Sequence, residues 1–208
     1  MKSHSFIYLI IYSCFIMSVS LQAQEHFADR YNVSYITMDD GLPHNFIDDI
    51  YKDTRGFLWI STAGGGLSRY DGYEFIHFNP NTPHSKLKSN FIHNVYEDRF
   101  HRLWIVSEGG TDIIDLSTLQ SVVPNDPKGL LPRFINHPTY IVILDSQGCI
   151  WLQCDNALHR ITFDAEGGID TLSTLDLPKQ DEPDLILKDI DEDGKIWTGI
   201  NGTIYKIT

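Results

Sequence analysis

Four tryptophans recur at nearly constant intervals along this chain of 208 residues. Trp59, Trp104, Trp151 and Trp197 are separated by 45, 47 and 46 residues. An aspartate stands six residues before each tryptophan, and three residues before it stands a glycine, except in the second repeat, which has His101. These coincident spacings identify an internal repeat, and a unit of about 46 residues made of short strands is typical of a β-propeller blade.

The repeat unit consists of a β-prone run, a turn opened by the aspartate, and a strand that carries the tryptophan. The aspartate can accept hydrogen bonds from backbone N–H groups two or three residues on, and the glycine supplies the positive φ that closes the turn. We expect His101 to adopt this conformation at modest strain, and each tryptophan to pack between neighbouring blades. The structural repeat residues are Asp53, Gly56, Trp59, Asp98, Trp104, Asp145, Gly148, Trp151, Asp191, Gly194 and Trp197.

Two shorter strands complete each unit, so the sequence predicts an all-β fold of four four-stranded antiparallel blades. The fourth strand of the second blade is expected at 119–123, and a further strand over 32–37 would complete a last blade. The chain is expected to form a partial propeller, with a closed four-bladed ring as the alternative. The predicted blades cover residues 46–78, 91–123, 140–175 and 186–208.

Residues 1–23 have the pattern of a secretory signal peptide, so the propeller region is expected to cover 24–208. A polar start precedes an apolar run over 6–19, and Leu21-Gln22-Ala23 resembles a cleavage site. An uncleaved membrane anchor is the alternative, although the run is near the lower length limit for crossing a bilayer. Export to the periplasm is therefore predicted. Export permits a disulfide between Cys149 and Cys154, but we interpret both as packing residues.

The acidic composition limits the possible partners. Asp and Glu number 28 against 16 Lys and Arg, a net charge of −12, and nucleic acid binding requires a basic surface. Gly64-Gly65-Gly66 is not followed by the Gly-Lys-Ser/Thr of a phosphate loop, and the sequence has no Gly-x-Ser-x-Gly elbow. Asp48 and Asp49 are adjacent in a strand and should point to opposite faces. We therefore expect neither catalysis nor a cofactor.

Asp189, Asp191 and Asp193 match the opening of an EF-hand calcium loop. Ile200 stands where that loop requires a bidentate glutamate, and the turn of the fourth blade explains the same residues. Calcium is therefore an alternative, and no metal is otherwise expected.

Propellers usually bind ligands on the face formed by the loops that lead into each inner strand and the loops between the second and third strands. Polar side chains near aromatic rings on this face would suit sugar hydroxyls, whereas the alternative is that most of them cap turns or face water. The candidate ligand-binding residues are Asp40, His44, Asn45, Asn90, His93, Glu108, Arg133, Asn136, His137, Asp155 and Asn156.

Several stretches resemble the two-component regulator propeller repeat: DGLPHN (40–45), DDIYKDTRGFLWIST (48–62), GGLSRYDGYEFIHF (65–78) and NVYEDRFHRLWIVSEGG (94–110). Residues 146–152 and 192–199 are less complete copies. The resemblance implies the extracytoplasmic input region of a Bacteroidetes hybrid two-component sensor histidine kinase, whose ligands are typically oligosaccharides. It further implies that this chain is an N-terminal fragment, and that its partners are the remaining blades and the downstream sensor and kinase domains.

The resemblance therefore favours a ligand-sensing propeller segment without kinase activity of its own, attached to the membrane only through a signal or anchor segment. One alternative is a stand-alone secreted four-bladed module that binds carbohydrate or protein. A propeller lyase or hydrolase is a further alternative, for which no set of residues argues.

Overall fold

The computed structural model describes residues 33–83, 86–154, 157–176, 186–190, 195–200 and 203–207. The chain divides into a unit over Met1–Ile36 and a larger unit over Thr37–Thr208. The predicted signal peptide over 1–23 lies outside the described residues. Among these residues, no helix has both the length and the apolarity needed to cross a bilayer.

The strand expected over 32–37 is not formed, because residues 33–37 belong to no strand. Val33 and Tyr35 are 66% and 84% exposed. Thr37 instead caps a 3-10 helix, Met38–Asp40, by accepting a hydrogen bond from Asp39 N through its side chain. A strand is stable only where a neighbour satisfies its backbone groups, and this segment satisfies part of its backbone through the cap.

The strands of the larger unit form four antiparallel sheets that follow one another along the chain. The first comprises β1 (Ile47–Lys52), β2 (Leu58–Thr62), β3 (Gly66–Tyr70) and β4 (Phe75–Phe78). The second comprises β5 (Ile92–Glu97), β6 (Arg102–Ser107) and β7 (Gly110–Asp115). The third comprises β8 (Thr139–Leu144), β9 (Ile150–Cys154), β10 (Ala157–Phe163) and β11 (Ile169–Asp176). The fourth comprises β12 (Ile186–Ile190), β13 (Ile196–Ile200) and β14 (Thr203–Ile207). A short helix, α1 (Pro132–Ile135), precedes the third sheet.

The predicted all-β architecture of propeller-type blades is confirmed, since each sheet is an antiparallel meander. The prediction of four strands in every blade is wrong for the second sheet. Residues 119–123 form only an isolated bridge between Ser121 and Ile114, because Leu119 has a φ of 59° that interrupts the extended backbone. The described part of the fourth sheet also has three strands.

The turn after the first strand has the predicted conformation. Gly56 and Gly148 have φ values of 94° and 76°, and His101 adopts a φ of 58° at the same place in the second repeat. A non-glycine residue in this region is strained, so the turn geometry is maintained by contacts elsewhere in the repeat.

Buried apolar side chains form clusters between successive sheets. One cluster combines Trp59 with residues of the second sheet, and another combines Trp104 with residues of the third. The rings of Trp104 and Phe163 lie 5.9 Å apart between centroids. The predicted packing of tryptophans between blades is thus confirmed for these two, whereas Trp151 is half-buried and Trp197 is 36% exposed.

The two cysteines that follow the predicted signal peptide form no disulfide with each other, and both are buried. Cys154 belongs to the cluster between the second and third sheets. Cys149 lies at the turn before β9, where burial raises the pKa of its thiol, and the nearby Asp145 carboxylate raises it further. These are the properties of packing residues, as predicted.

Candidate functional site

The carboxylates of the repeated aspartates accept hydrogen bonds from the backbone of their own turns. Asp53 Oδ1 accepts hydrogen bonds from Arg55 N and Phe57 N at 3.0 and 2.9 Å. Asp98 and Asp145 bond the backbone N–H groups two and four residues further on in the same way. These are the bonds that the predicted structural role requires, and Asp191 lies outside the described residues.

The first strand of each sheet contains an irregularity, which lies eleven residues before the tryptophan in the first three sheets and nine residues before it in the fourth. The register with the second strand shifts between Ile47 and Asp49, and the corresponding shifts occur once in each of the other three first strands. Each shift leaves one extra residue, and a bulge of this kind redirects a side chain. The extra residues are Asp48, His93, Tyr140 and Lys188.

Two of these extra residues line a cavity between the first and second sheets. Residues of the loops line the cavity together with Asp48 and His93, and its volume is about 330 Å³. It lies on the face formed by the loops that lead into the first strands and the loops between second and third strands, which is where ligand binding was predicted. The lining residues are Asp48, Ala63, Phe91, Ile92, His93 and Glu108.

His93 lines the cavity from β5. Its ring lies 5.4 Å from the ring of Tyr140, measured between centroids. Burial lowers the pKa of His93, although the carboxylates of Glu108 and Asp48 work in the opposite direction. The imidazole is therefore neutral at pH 7, with one nitrogen that donates and one that accepts. Its Nε2 is buried and has no hydrogen-bond partner among the described residues.

Asp48 and its neighbour Asp49 have different surroundings, as expected for adjacent residues of a strand. Asp48 lines the cavity, whereas Asp49 Oδ2 accepts a hydrogen bond from Val95 N at 3.2 Å. The equivalent residue of the next sheet, Asn94, bonds both the N–H and the carbonyl of Val142. These bonds connect successive first strands, so they hold the bulged residues at fixed positions relative to one another.

Three of the predicted binding residues fall in or beside the cavity. His93 and Glu108 line it, and Asn90 directly precedes the lining residue Phe91 in the chain. The carbonyl of Asn90 accepts a hydrogen bond from Gly66 N, and its buried Oδ1 has no partner in the described structure.

Other predicted residues have local roles. Both Thr37 N and Thr37 Oγ1 donate to the Asp40 carboxylate, and His44 Nδ1 accepts from Phe46 N. Asn45, Asn136 and His137 are exposed around the loops. The Arg133 side chain, together with Asp155 and Asn156, lies outside the described part of the chain, so their binding role stays a prediction.

The calcium alternative also stays untested, because Asp191 and Asp193 lie outside the described residues and nothing is described of the Asp189 side chain. Elsewhere in the described structure, no group of three His, Cys, Asp or Glu residues is placed to hold a metal ion.

Asp48, Phe91 and Tyr140 were not among the predicted site residues. A signal for two of them existed: Asp48, His93 and Tyr140 are separated by 45 and 47 residues, the same intervals that separate the first three tryptophans. Aligning the polar residues on the tryptophan spacing would have placed them at one position of the blade.

Two segments of the chain match a known repeat family. Residues 41–64 and 86–109 match the family described as two component regulator propeller. The match covers the turn and the tryptophan strand of the first two repeats. Both matches run from the loop before a first strand to the loop after a second strand, and together they include all six cavity-lining residues. The resemblance stated from the sequence is thereby confirmed.

Solved structures share the fold of this propeller segment. The extracellular domain of BT4673 from B. thetaiotaomicron, named as a hybrid two component system, is 24% identical over 80% of this chain, with a TM-score of 0.55. The extracellular domain of BT3049 from the same organism, named likewise, is 19% identical over 84%, with a TM-score of 0.59. The chain spans only 23% and 30% of the length of these two structures.

The same fold occurs in an enzyme. Virginiamycin B lyase from Staphylococcus aureus is 16% identical over 77% of this chain and 55% of its own, with a TM-score of 0.51. Similarity at these levels of identity is evidence of fold alone. No curated protein matches the chain.

Proposed function

We propose that this chain is a ligand-sensing propeller segment of the extracytoplasmic input region of a hybrid two-component sensor, and that its ligand is an oligosaccharide. The family match and the extracellular sensor domains that share its fold support the sensor role.

The cavity beside His93 is the observation that carries the proposal. It combines an aromatic residue, Phe91, with polar groups that have spare hydrogen-bonding capacity, which is the composition that suits a sugar ring and its hydroxyls. Its residues come from two neighbouring sheets, so a bound ligand would change the free energy of their association. That coupling is a physical route from binding to signalling.

Binding can be tested on the full chain by isothermal titration calorimetry with a panel of neutral, amino and acidic oligosaccharides. We expect at least one saccharide to bind, and His93→Ala to remove that binding. His77→Ala is the matched control, because His77 is exposed on β4 and does not line the cavity. Binding that survives His93→Ala would place the ligand elsewhere, and turnover of a saccharide would favour the lyase alternative.

Export is proposed on the pattern of residues 1–23 and on the extracellular location of the similar domains. Expression of the full reading frame in a Bacteroidetes host should yield a mature chain that begins at Gln24. Mass spectrometry of the isolated protein measures this, and retention of residues 1–23 in a membrane fraction would support the uncleaved anchor instead.

A further inference from the structure

The cavity beside His93 has a charge that restricts the class of ligand. We propose that it binds a saccharide carrying a protonated amine, such as a glucosamine unit, in preference to neutral or acidic sugars. This inference rests on the proposed binding function and goes beyond it by naming the chemistry of the ligand.

The lining of the cavity is acidic. Asp48 enters from the bulge of β1, and Glu108 enters from the loop between β6 and β7. Both line the same cavity as His93, and both act to raise the pKa of its ring. No lysine or arginine is among the lining residues.

The carboxylates of Asp48 and Glu108 also have no partner in the described part of the chain. Neither Asp48 nor Glu108 forms a side-chain hydrogen bond or an ion pair with any residue of the described chain. Acidic residues at other places between the sheets are paired: Asp112 accepts from Lys88 Nζ at 2.8 Å, and Glu97 accepts from Thr54 N and Thr54 Oγ1, both at 2.7 Å. Asp48 and Glu108 are exposed, so their carboxylates are open to an outside group, and the buried Nε2 of His93 beside them has no partner among the described residues.

An ammonium group satisfies this arrangement. It donates to carboxylates in charge-assisted hydrogen bonds, which are stronger than those between neutral groups. Phe91 is 51% exposed at the cavity and offers an aromatic surface to the sugar ring or to the cation itself. A uronic acid or a sulfated sugar would instead bring a negative charge towards two carboxylates, with no lining cation to offset the repulsion.

The size of the cavity is consistent with a small ligand. A volume of about 330 Å³ lies at the lower end of ligand pockets, which range over roughly 300–1,000 Å³. The acidic net charge of −12 adds a long-range attraction for cations, which should raise the association rate at low salt.

The test compares three matched probes on the full chain by calorimetry: glucosamine trisaccharide, N-acetylglucosamine trisaccharide and galacturonic acid trisaccharide. We expect the glucosamine trisaccharide to bind at least about tenfold more tightly than the acetylated one, and the galacturonate to give no heat. Raising sodium chloride from 50 to 500 mM should weaken the binding of the amine but not that of the neutral sugar.

Variants identify the groups responsible. Asp48→Asn and Glu108→Gln should each weaken binding of the glucosamine trisaccharide about tenfold while leaving the acetylated form unaffected. Glu166→Gln, at an exposed position in the turn between β10 and β11, removes a charge of the same sign away from the lining and should change nothing. Thermal melting of each variant confirms that the fold is retained.

The outcomes separate this inference from the proposed function. If the neutral or acidic probe binds as tightly as the amine, and His93→Ala abolishes that binding, the sensing site stands and the cationic preference is wrong. If all three probes fail to bind, both proposals are overturned for saccharides.

Discussion

Trp59 Nε1 donates a hydrogen bond to Asp53 Oδ2 at a distance of 2.8 Å, and both side chains are buried. The same bond joins Trp104 to Asp98 at 2.8 Å and Trp151 to its aspartate at 2.9 Å. One carboxylate therefore satisfies the backbone of the turn with one oxygen and the indole of the next strand with the other. This division explains why the two residues are always six positions apart.

Asp53→Asn should destabilise the protein, because the amide offers one oxygen where the carboxylate offered two. If that oxygen serves the turn, an N–H group faces the indole N–H of Trp59, and a buried donor is left unsatisfied. We expect a loss of about 2 kcal/mol in the free energy of unfolding, measured by urea denaturation.

The control for this variant is Asp71→Asn. Asp71 accepts from Tyr73 N and Glu74 N in the exposed turn between β3 and β4 and has no indole partner. It should shift the urea midpoint less than Asp53→Asn. Equal shifts would show that the bond to the indole contributes nothing beyond the capping of the turn.

The link between Glu97 and the first sheet should make stability depend on pH. Burial works to raise the pKa of Glu97, but hydrogen bonds from Thr54 and His101 outweigh it and hold the pKa below the ordinary value of 4.5. Because the folded-state pKa is depressed, the contribution is fully present above pH 4.5 and is lost as the pH falls through the lower folded-state value.

In Glu97→Gln, the urea midpoint should therefore fall less steeply than in the parent protein as the pH is lowered from 6 to 3. Other carboxylates titrate over the same window, so the difference between the variant and the parent is the relevant quantity. Glu166→Gln, at an exposed position, should leave the profile unchanged. Parallel profiles for Glu97→Gln and the parent would contradict the prediction.

Tyr51 should ionise at unusually high pH. Burial raises the pKa of its phenol to about 12, and the neighbouring Tyr96 ring lies 5.0 Å away between centroids. Because the folded-state pKa exceeds the ordinary value of 10.0, stability falls as the pH rises from 10 towards 12. When tyrosine ionisation is followed by absorbance at 295 nm, Tyr51→Phe should lack the part of the signal that appears near pH 12. If the variant instead lacks signal that appears near pH 10, the prediction is wrong.

The repeat was predictable from sequence because its interactions are local. Asp53, Gly56 and Trp59 lie within seven residues and form one turn and its adjoining strand, so their chemistry is visible in the sequence itself. The predicted strand over 119–123 failed for an equally local reason. Ser117 and Thr118 each donate to the Asp115 carboxylate through both backbone and side chain, and this turn replaces the hairpin.

The cavity was harder to predict, because a bulge breaks the alternation on which strand patterns depend. Without knowledge of the bulge, Asp48 is interpreted as one of two adjacent strand residues, with Asp49, and its equivalence to His93 and Tyr140 is missed. His93 and Glu108 belong to one sheet, in which Ile92 pairs with Ser107, whereas Asp48 comes from the neighbouring sheet. The approach of Asp48 to the other two depends on how the two sheets pack, and no sequence pattern specifies that distance.

Exposed apolar residues on the first and fourth sheets lead to the last prediction. Ile50 on β1 is 61% exposed, whereas Val95, at the same position of the second sheet, is 2% exposed. Trp197 is 36% exposed, whereas Trp104 is fully buried. These surfaces correspond to those that adjacent sheets bury within the chain, so we expect the isolated chain to bind the hydrophobic dye ANS and to associate with itself.

Substitution by threonine at these two equivalent positions should then affect the stability of the protein differently. Ile50→Thr should lower dye fluorescence and self-association with little change in the urea midpoint, because the residue is already in water. Val95→Thr buries a hydroxyl in place of a methyl group and should destabilise the protein by about 1–3 kcal/mol. If Ile50→Thr destabilises as strongly as Val95→Thr, the first sheet is covered in solution, and the exposure of Ile50 is not a property of the isolated chain.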